Sequence, residues 1–94
     1  MNTPTEFEWD DAKAERNLAK HGVSFDYAVQ VFLDEACIIF DASQTDQGEA
    51  RSKAVGAIER RLFVVVFTMR GEVCRVISAR RTNASEEKRY GDRS

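Results

Sequence analysis

The sequence predicts a small α+β domain, and three observations lead there. Ninety-four residues is enough for one hydrophobic core and too few for several. Apolar residues recur with helical spacing between about residues 10 and 34. From Ala36 onward the period changes to two. A chain that runs from helices into consecutive strands packs helices on one side of an antiparallel sheet.

Each element has a local reason. Phe7-Glu8-Trp9 alternates apolar and polar residues, a short N-terminal strand pattern. Asp10 offers an N-cap and Asp11 an acidic first turn for a helix reaching about His21, with Ala14, Leu18 and His21 on its apolar face and Gly22 as C-cap. Ser24 caps a second helix whose buried stripe is Phe25, Ala28, Val29 and Phe32, ending near Asp34, and the short junction makes the pair a helical hairpin. Four strands follow as a meander: ACIIFD, RSKAVGAIE, RLFVVVFTM and EVCRVISARR, with a turn at Arg70-Gly71. The third is apolar on both faces from Leu62 to Phe67 and therefore central. On the fourth, strict alternation puts Cys74, Val76, Ser78 and Arg80 on one face and Arg75, Ile77, Ala79 and Arg81 on the other. A short C-terminal helix, NASEEKRYGD, is capped by Asn83 or Ser85 and brings Glu86 beside Tyr90. With no repeat or linker, residues 1–94 read as a single domain.

Composition removes whole classes of function. The chain is 43% hydrophobic and 32% charged, which suits a globular protein, and no apolar run approaches the length that spans a bilayer. The acidic start, MNTPTEFEWDD, lacks the basic and apolar regions of a signal peptide, so a cytoplasmic location is expected. Cys37 and Cys74 sit in hydrophobic runs with no CxxC pairing, as buried free thiols do. No Walker loop, dinucleotide glycine pattern, GxSxG elbow or metal-ligand cluster is present, so neither a cofactor nor a metal is expected.

Charge is divided along the chain. The net charge is −2, yet the first 50 residues hold three Lys/Arg against eleven Asp/Glu and the rest hold eleven against five. A basic half suits a polyanion, although solvated faces also segregate charge. Within it, Arg51 and Lys53 open one strand, Arg80 and Arg81 end another, and Glu86, Lys88, Arg89 and Tyr90 follow. Guanidinium forks suit phosphates and a tyrosine stacks on a base. His21 is the sole histidine, placed where it either transfers protons near neutral pH or simply caps helix carbonyls. The chemistry left open is metal-independent attack of an RNA 2′-hydroxyl on its own phosphate, which needs a base, charge neutralisation and an acid.

Taken together, FEWDDAKAERNLAKHGVSFDYAVQVFLD, GEARSKAVG and RLFVVVFTMRGEVCRVISARRTNASEEKRY closely resemble the BrnT family of bacterial toxins, the partners of BrnA antitoxins in type II toxin–antitoxin systems. The likeness runs from Phe7 to Tyr90; its most specific pieces are FEWD, KHGVSF, Glu49-x-Arg51, the Ile-Ser-Ala-Arg strand end and Glu86 with Tyr90. It implies a RelE-like fold, with a short N-terminal strand, a helical hairpin on a four-stranded antiparallel sheet and a short C-terminal helix. It also implies a ribonuclease that arrests translation and is neutralised by a DNA-binding antitoxin repressing the shared operon.

Carried over by position, the resemblance assigns catalysis to Arg80, Glu86, His21 and Arg51, and RNA binding to Lys20, Arg81 and Tyr90. Arg80 and Arg51 would hold the scissile phosphate, Glu86 or His21 would transfer protons, and Tyr90 would order the site. Where relatives carry Ala-Thr and a basic run after the arginine pair, this chain has Thr82-Asn83-Ala84-Ser85. The expected partners are an RNA substrate and a BrnA-like antitoxin, in a 2:2 complex if the antitoxin is a two-fold dimer, with DNA met only through that antitoxin. Arg80→Ala is expected to abolish activity without disturbing the fold. A non-catalytic nucleic-acid-binding module and a degenerate toxin acting as corepressor are the competing readings.

Overall fold

The computed structural model describes residues 3–42 and 50–92. Its elements are β1 (Glu6–Glu8), α1 (Asp11–His21), α2 (Phe25–Ala28), a 3-10 helix (Val29–Leu33), β2 (Ile38–Asp41), β3 (Ser52–Ile58), β4 (Arg61–Arg70), β5 (Val73–Arg81) and α3 (Ala84–Gly91). The sheet has five strands in the order β1-β5-β4-β3-β2. The meander β2 to β5 is antiparallel as expected, but β1 joins it in parallel beside β5, pairing Phe7 with Cys74. The expected RelE-like sheet of four antiparallel strands is therefore corrected to a five-stranded mixed sheet. A three-residue strand carries no sequence mark of the strand it will pair with across more than 60 positions.

Capping follows the sequence closely. Asp10 accepts from the Lys13 N–H at 2.9 Å, and Gly22 closes α1 at φ 71° with its N–H on the Leu18 carbonyl. The buried face of α1 is different from the one expected. Leu18 is 50% exposed, whereas Asn17 is only 8% exposed. The Asn17 side chain donates to the carbonyls of Val23 and Ala79, at 3.0 and 2.8 Å, and accepts from the Ala79 N–H at 3.2 Å. Because β1 pairs only with residues 73–75 of β5, this amide serves the strand edge where β1 has ended. Asn17→Ala leaves both polar groups of Ala79 without that partner, so we expect a loss of about 2 to 4 kcal/mol, read as a lowered urea midpoint with unchanged m-value.

The second helix also departs from expectation. After four α-helical residues it winds as a 3-10 helix, and its three-residue repeat buries Phe25, Ala28 and Val31 in place of Val29. This segment lies directly on Gly56, where a Cβ would stand 2.5 Å from the Val31 carbonyl oxygen. Only glycine admits that approach. Phe25, Val31, Phe32, Phe63, Val65, Phe67, Cys74 and Val76 are among the core residues between helices and sheet.

Two further features decide which side chains reach the functional faces. In β5 the register shifts between Val66 opposite Ser78 and Phe67 opposite Val76, so Ile77 has no partner. This bulge exchanges the faces. Cys74, Val76, Ala79 and Arg81 lie toward α1 and α2, while Arg75, Ser78 and Arg80 lie on the opposite face, a correction to simple alternation. The second feature is α3, whose Glu86 meets Lys53 and Arg80 on that opposite face. The helices thus occupy both sides of the sheet, not one. Burial pushes the Cys74 thiol up to about 12, and burial together with Asp34 pushes that of Cys37 up to about 11, so both stay protonated.

Candidate functional site

Three basic positions converge on the α3 face. Pairing of Lys53 with Val66 and of Arg80 with Val64 puts both side chains on that face, over strands that also present Val55 and Val64. The ladder continues to Arg51, whose carbonyl accepts from the Ala42 N–H at 2.9 Å, and alternation assigns Arg51 to the Lys53 side. Glu49, its expected companion, lies outside the described residues. The C-terminal helix crosses this face because Asn83 and Glu86 form a reciprocal capping box that fixes its first turn.

Glu86 is the hub. It is 3% exposed, and its carboxylate accepts both Nη atoms of Arg80 at 2.9 Å, the Lys53 ammonium at 2.9 Å and the Asn83 N–H at 2.9 Å. Burial alone would raise its pKa; hydrogen bonds from Arg80, Asn83 and Lys53 and the charge of Arg80 outweigh that and hold it at about 2. Glu86 is therefore an anion throughout the neutral range. Its carboxylate holds the Arg80 guanidinium and the Lys53 ammonium in place.

The guanidinium of Arg80 keeps an edge for a ligand. Of its five N–H donors, one from each Nη goes to Glu86 and the other on Nη1 goes to the Arg81 carbonyl at 3.1 Å. The Nε–H and one Nη2–H have no partner among the described residues. A groove of about 330 Å³ runs between α3 and the β2–β3 edge, lined by Phe40, Asp41, Ala42, Lys53, Asn83, Ser85, Glu86 and Arg89, and Arg80 adjoins it through its clamp on Glu86. Arg89 stacks over the Phe40 ring at 4.1 Å. Fixed cations with an aromatic floor can bind a phosphodiester and neutralise charge that develops on it.

The remaining expected residues lie elsewhere. Tyr90 closes α3 against the other layer, donating its hydroxyl to Asp34 at 2.6 Å. Asp34 also accepts from the N–H groups of Ala36 and Ala57, so it ties the 3-10 helix to β3. His21 and Arg81 meet across the sheet, in a separate cleft on the α1 side, and Lys20 is an exposed residue of the last turn of α1. The structure therefore gathers Arg80, Glu86 and, by its register, Arg51, and separates them from His21, Lys20 and Arg81. Lys53 and Arg89 belong to the groove and were missing from the expected site. For Lys53 the signal was present, since it stands two positions after Arg51 in a strand. Arg89 stood in the basic group, but its face depends on where α3 docks.

No described helix is long and apolar enough to cross a membrane. The chain matches, over residues 9–86, a family described as the ribonuclease toxin BrnT of type II toxin–antitoxin systems. The match spans most of the chain and ends at Glu86, ahead of Arg89 and Tyr90. No curated protein matches the chain.

Proposed function

The chain belongs to the BrnT family of ribonuclease toxins of type II toxin–antitoxin systems, and on that premise we propose that it is a metal-independent endoribonuclease whose cleavage centre is the groove under α3. The observation that carries this reading is the bidentate clamp of Glu86 on Arg80, with Lys53 on the same carboxylate. It fixes two cations beside one groove without occupying all their donors.

In the proposed reaction the 2′-oxygen bonds to phosphorus and the bond from phosphorus to the 5′-oxygen breaks. The 2′-hydroxyl gives its proton to a solvent water and the leaving oxygen takes one from the Lys53 ammonium, which solvent then reprotonates, with no change of redox state. Arg80 and Arg51 hold the scissile phosphate, and the added negative charge of the phosphorane falls on Arg80 and Lys53. The charge that a metal ion would bring is thus offered by side chains. The Lys53 ammonium protonates the leaving oxygen, because the Glu86 carboxylate has no proton to give. Residues 1–94 act as one domain.

The neutralising partner in this reading is a BrnA-like antitoxin, bound 2:2, whose acidic groups approach the Arg51 and Arg80 cluster and cover the groove. The test is cleavage by the purified, partner-free protein in excess EDTA. RNA should be cut at the rate seen without chelator, and DNA of the same sequence should stay intact. A requirement for added divalent ions, or equal cutting of DNA, would refute the mechanism.

A further inference from the structure

The cleft on the α1 side of the sheet has a volume of about 470 Å³ and is lined by Leu18, His21, Tyr27, Arg61, Phe63 and Arg81 among others. That is within the usual size of a small-molecule site. Leu18, Tyr27, Arg61 and Phe63 belong to none of the roles given above. We propose that this cleft binds one nucleotide of the RNA strand outside the cleavage centre, its phosphate on Arg61 and Arg81 and its base against Tyr27 and Leu18.

Four observations support this. Arg81 is held in place: its guanidinium lies 5.4 Å from the centre of the Phe63 ring and its Nε–H donates to the Leu62 carbonyl at 3.2 Å. Its two Nη nitrogens make no bond among the described residues, so a preorganised fork faces outward. Tyr27 meets Phe63 edge-on at 5.5 Å and donates its hydroxyl to Glu59 at 2.6 Å, so its ring orientation is fixed from both sides. Leu18, half exposed on α1, gives the same cleft an apolar wall.

The fourth observation is the hairpin that carries Arg61. Glu59 and Arg60 form the two-residue turn between β3 and β4 with φ of 52° and 72°, a left-handed backbone that neither residue favours. The Tyr27–Glu59 bond secures this turn. A strained backbone that sets an arginine beside a fixed aromatic ring is what a binding cleft asks for.

The two sites also meet in the chain at the end of β5. Arg80 and Arg81 are consecutive, yet they face opposite sides of the sheet at the end of β5, where β1 no longer covers the strand edge. An RNA strand that crosses the end of β5, beyond Asn17 at Ala79, would meet both arginines. An acidic peptide would satisfy the arginines, but the apolar wall and the fixed ring suit a base, and two arginines consecutive in the chain suit a continuous polynucleotide.

This inference rests on the reading that the groove under α3 cleaves RNA, and the test separates the two. Binding of a single-stranded 2′-O-methyl oligonucleotide, which lacks the attacking hydroxyl, is titrated against the full chain, Arg61→Ser and Arg81→Gln across a range of salt. Arg80→Ala is assayed for cleavage in parallel. Both substituted positions are exposed, so the variants should fold, which far-UV circular dichroism checks. We expect each to weaken binding roughly tenfold and to lower the salt slope by about 0.7, the loss of one phosphate contact. Unchanged affinity and slope in both variants would overturn the cleft. So would loss of affinity for the antitoxin alone with RNA binding retained. Wild-type cleavage by Arg80→Ala would instead overturn the groove and leave the cleft's result standing.

Discussion

Arg80→Ala should lower the rate of RNA cleavage roughly 100-fold or more, because in the proposed reaction its donor edge holds charge that grows in the transition state. It should also destabilise the protein. The sequence alone suggested an arginine free of the fold, but Arg80 supplies two of the hydrogen bonds that satisfy the buried Glu86 carboxylate. Removing one partner of such a group is costly even when the pair itself adds little. The two effects separate in Arg80→Lys, which keeps the positive charge beside Glu86 and loses the fork. Its stability should return most of the way, and its single-turnover rate should stay well below that of the unsubstituted protein. If Arg80→Lys cleaves as fast as the original chain, the planar fork has no part in the reaction.

Glu86→Gln carries the second large effect, on stability. With the carboxylate nearly excluded from water and three groups donating to it, loss of its charge should cost about 2 to 4 kcal/mol at pH 7. The effect has a pH signature. Glu86 has its folded-state pKa lowered from the ordinary 4.5 to about 2, so its contribution is complete above pH 4.5 and is lost as pH falls toward 2. The shift corresponds to about 3 kcal/mol. Urea unfolding of the original chain and of Glu86→Gln, compared at pH 7 and pH 3, should show the gap between them narrowing in acid. A gap that is constant with pH would mean that the charge of Glu86 is not what holds α3 to the sheet.

The parts of this fold that were legible in the sequence are those with local causes. Asp10, Gly22, Ser24 and Asn83 mark helix ends through their own backbone and side-chain chemistry, and all four do so in the structure. Strands β2 to β5 were legible because alternation is a local pattern. What stayed hidden depends on distant partners. The parallel seat of β1, the unpaired Ile77 and the 3-10 winding over Gly56 each follow from a neighbour far along the chain. Asn17 escaped notice for a related reason: a polar residue does not announce burial until the strand edge it serves is known.

The candidate site follows the same division. Arg51, Arg80 and Glu86 were identified from residue type and resemblance, and the structure places Arg80 and Glu86 in contact. That His21 and Arg81 lie across the sheet could not be read, because one bulge in β5 decides which arginine faces which layer. The role of Glu86 was equally illegible. The burial and the three donors that hold it as an anion exist only once Lys53, Arg80 and Asn83 are brought together.

Whether the groove drives attack by the RNA's own 2′-hydroxyl is read from the chemistry of the cut ends. RNA and its fully 2′-O-methylated counterpart are digested with the purified protein in chelator, and the termini are identified by mass spectrometry. Attack by the 2′-hydroxyl gives 2′,3′-cyclic phosphate and 5′-hydroxyl ends from the RNA, and no products from the methylated strand. Fragments bearing 5′-phosphate, or cutting of the methylated strand, would contradict it.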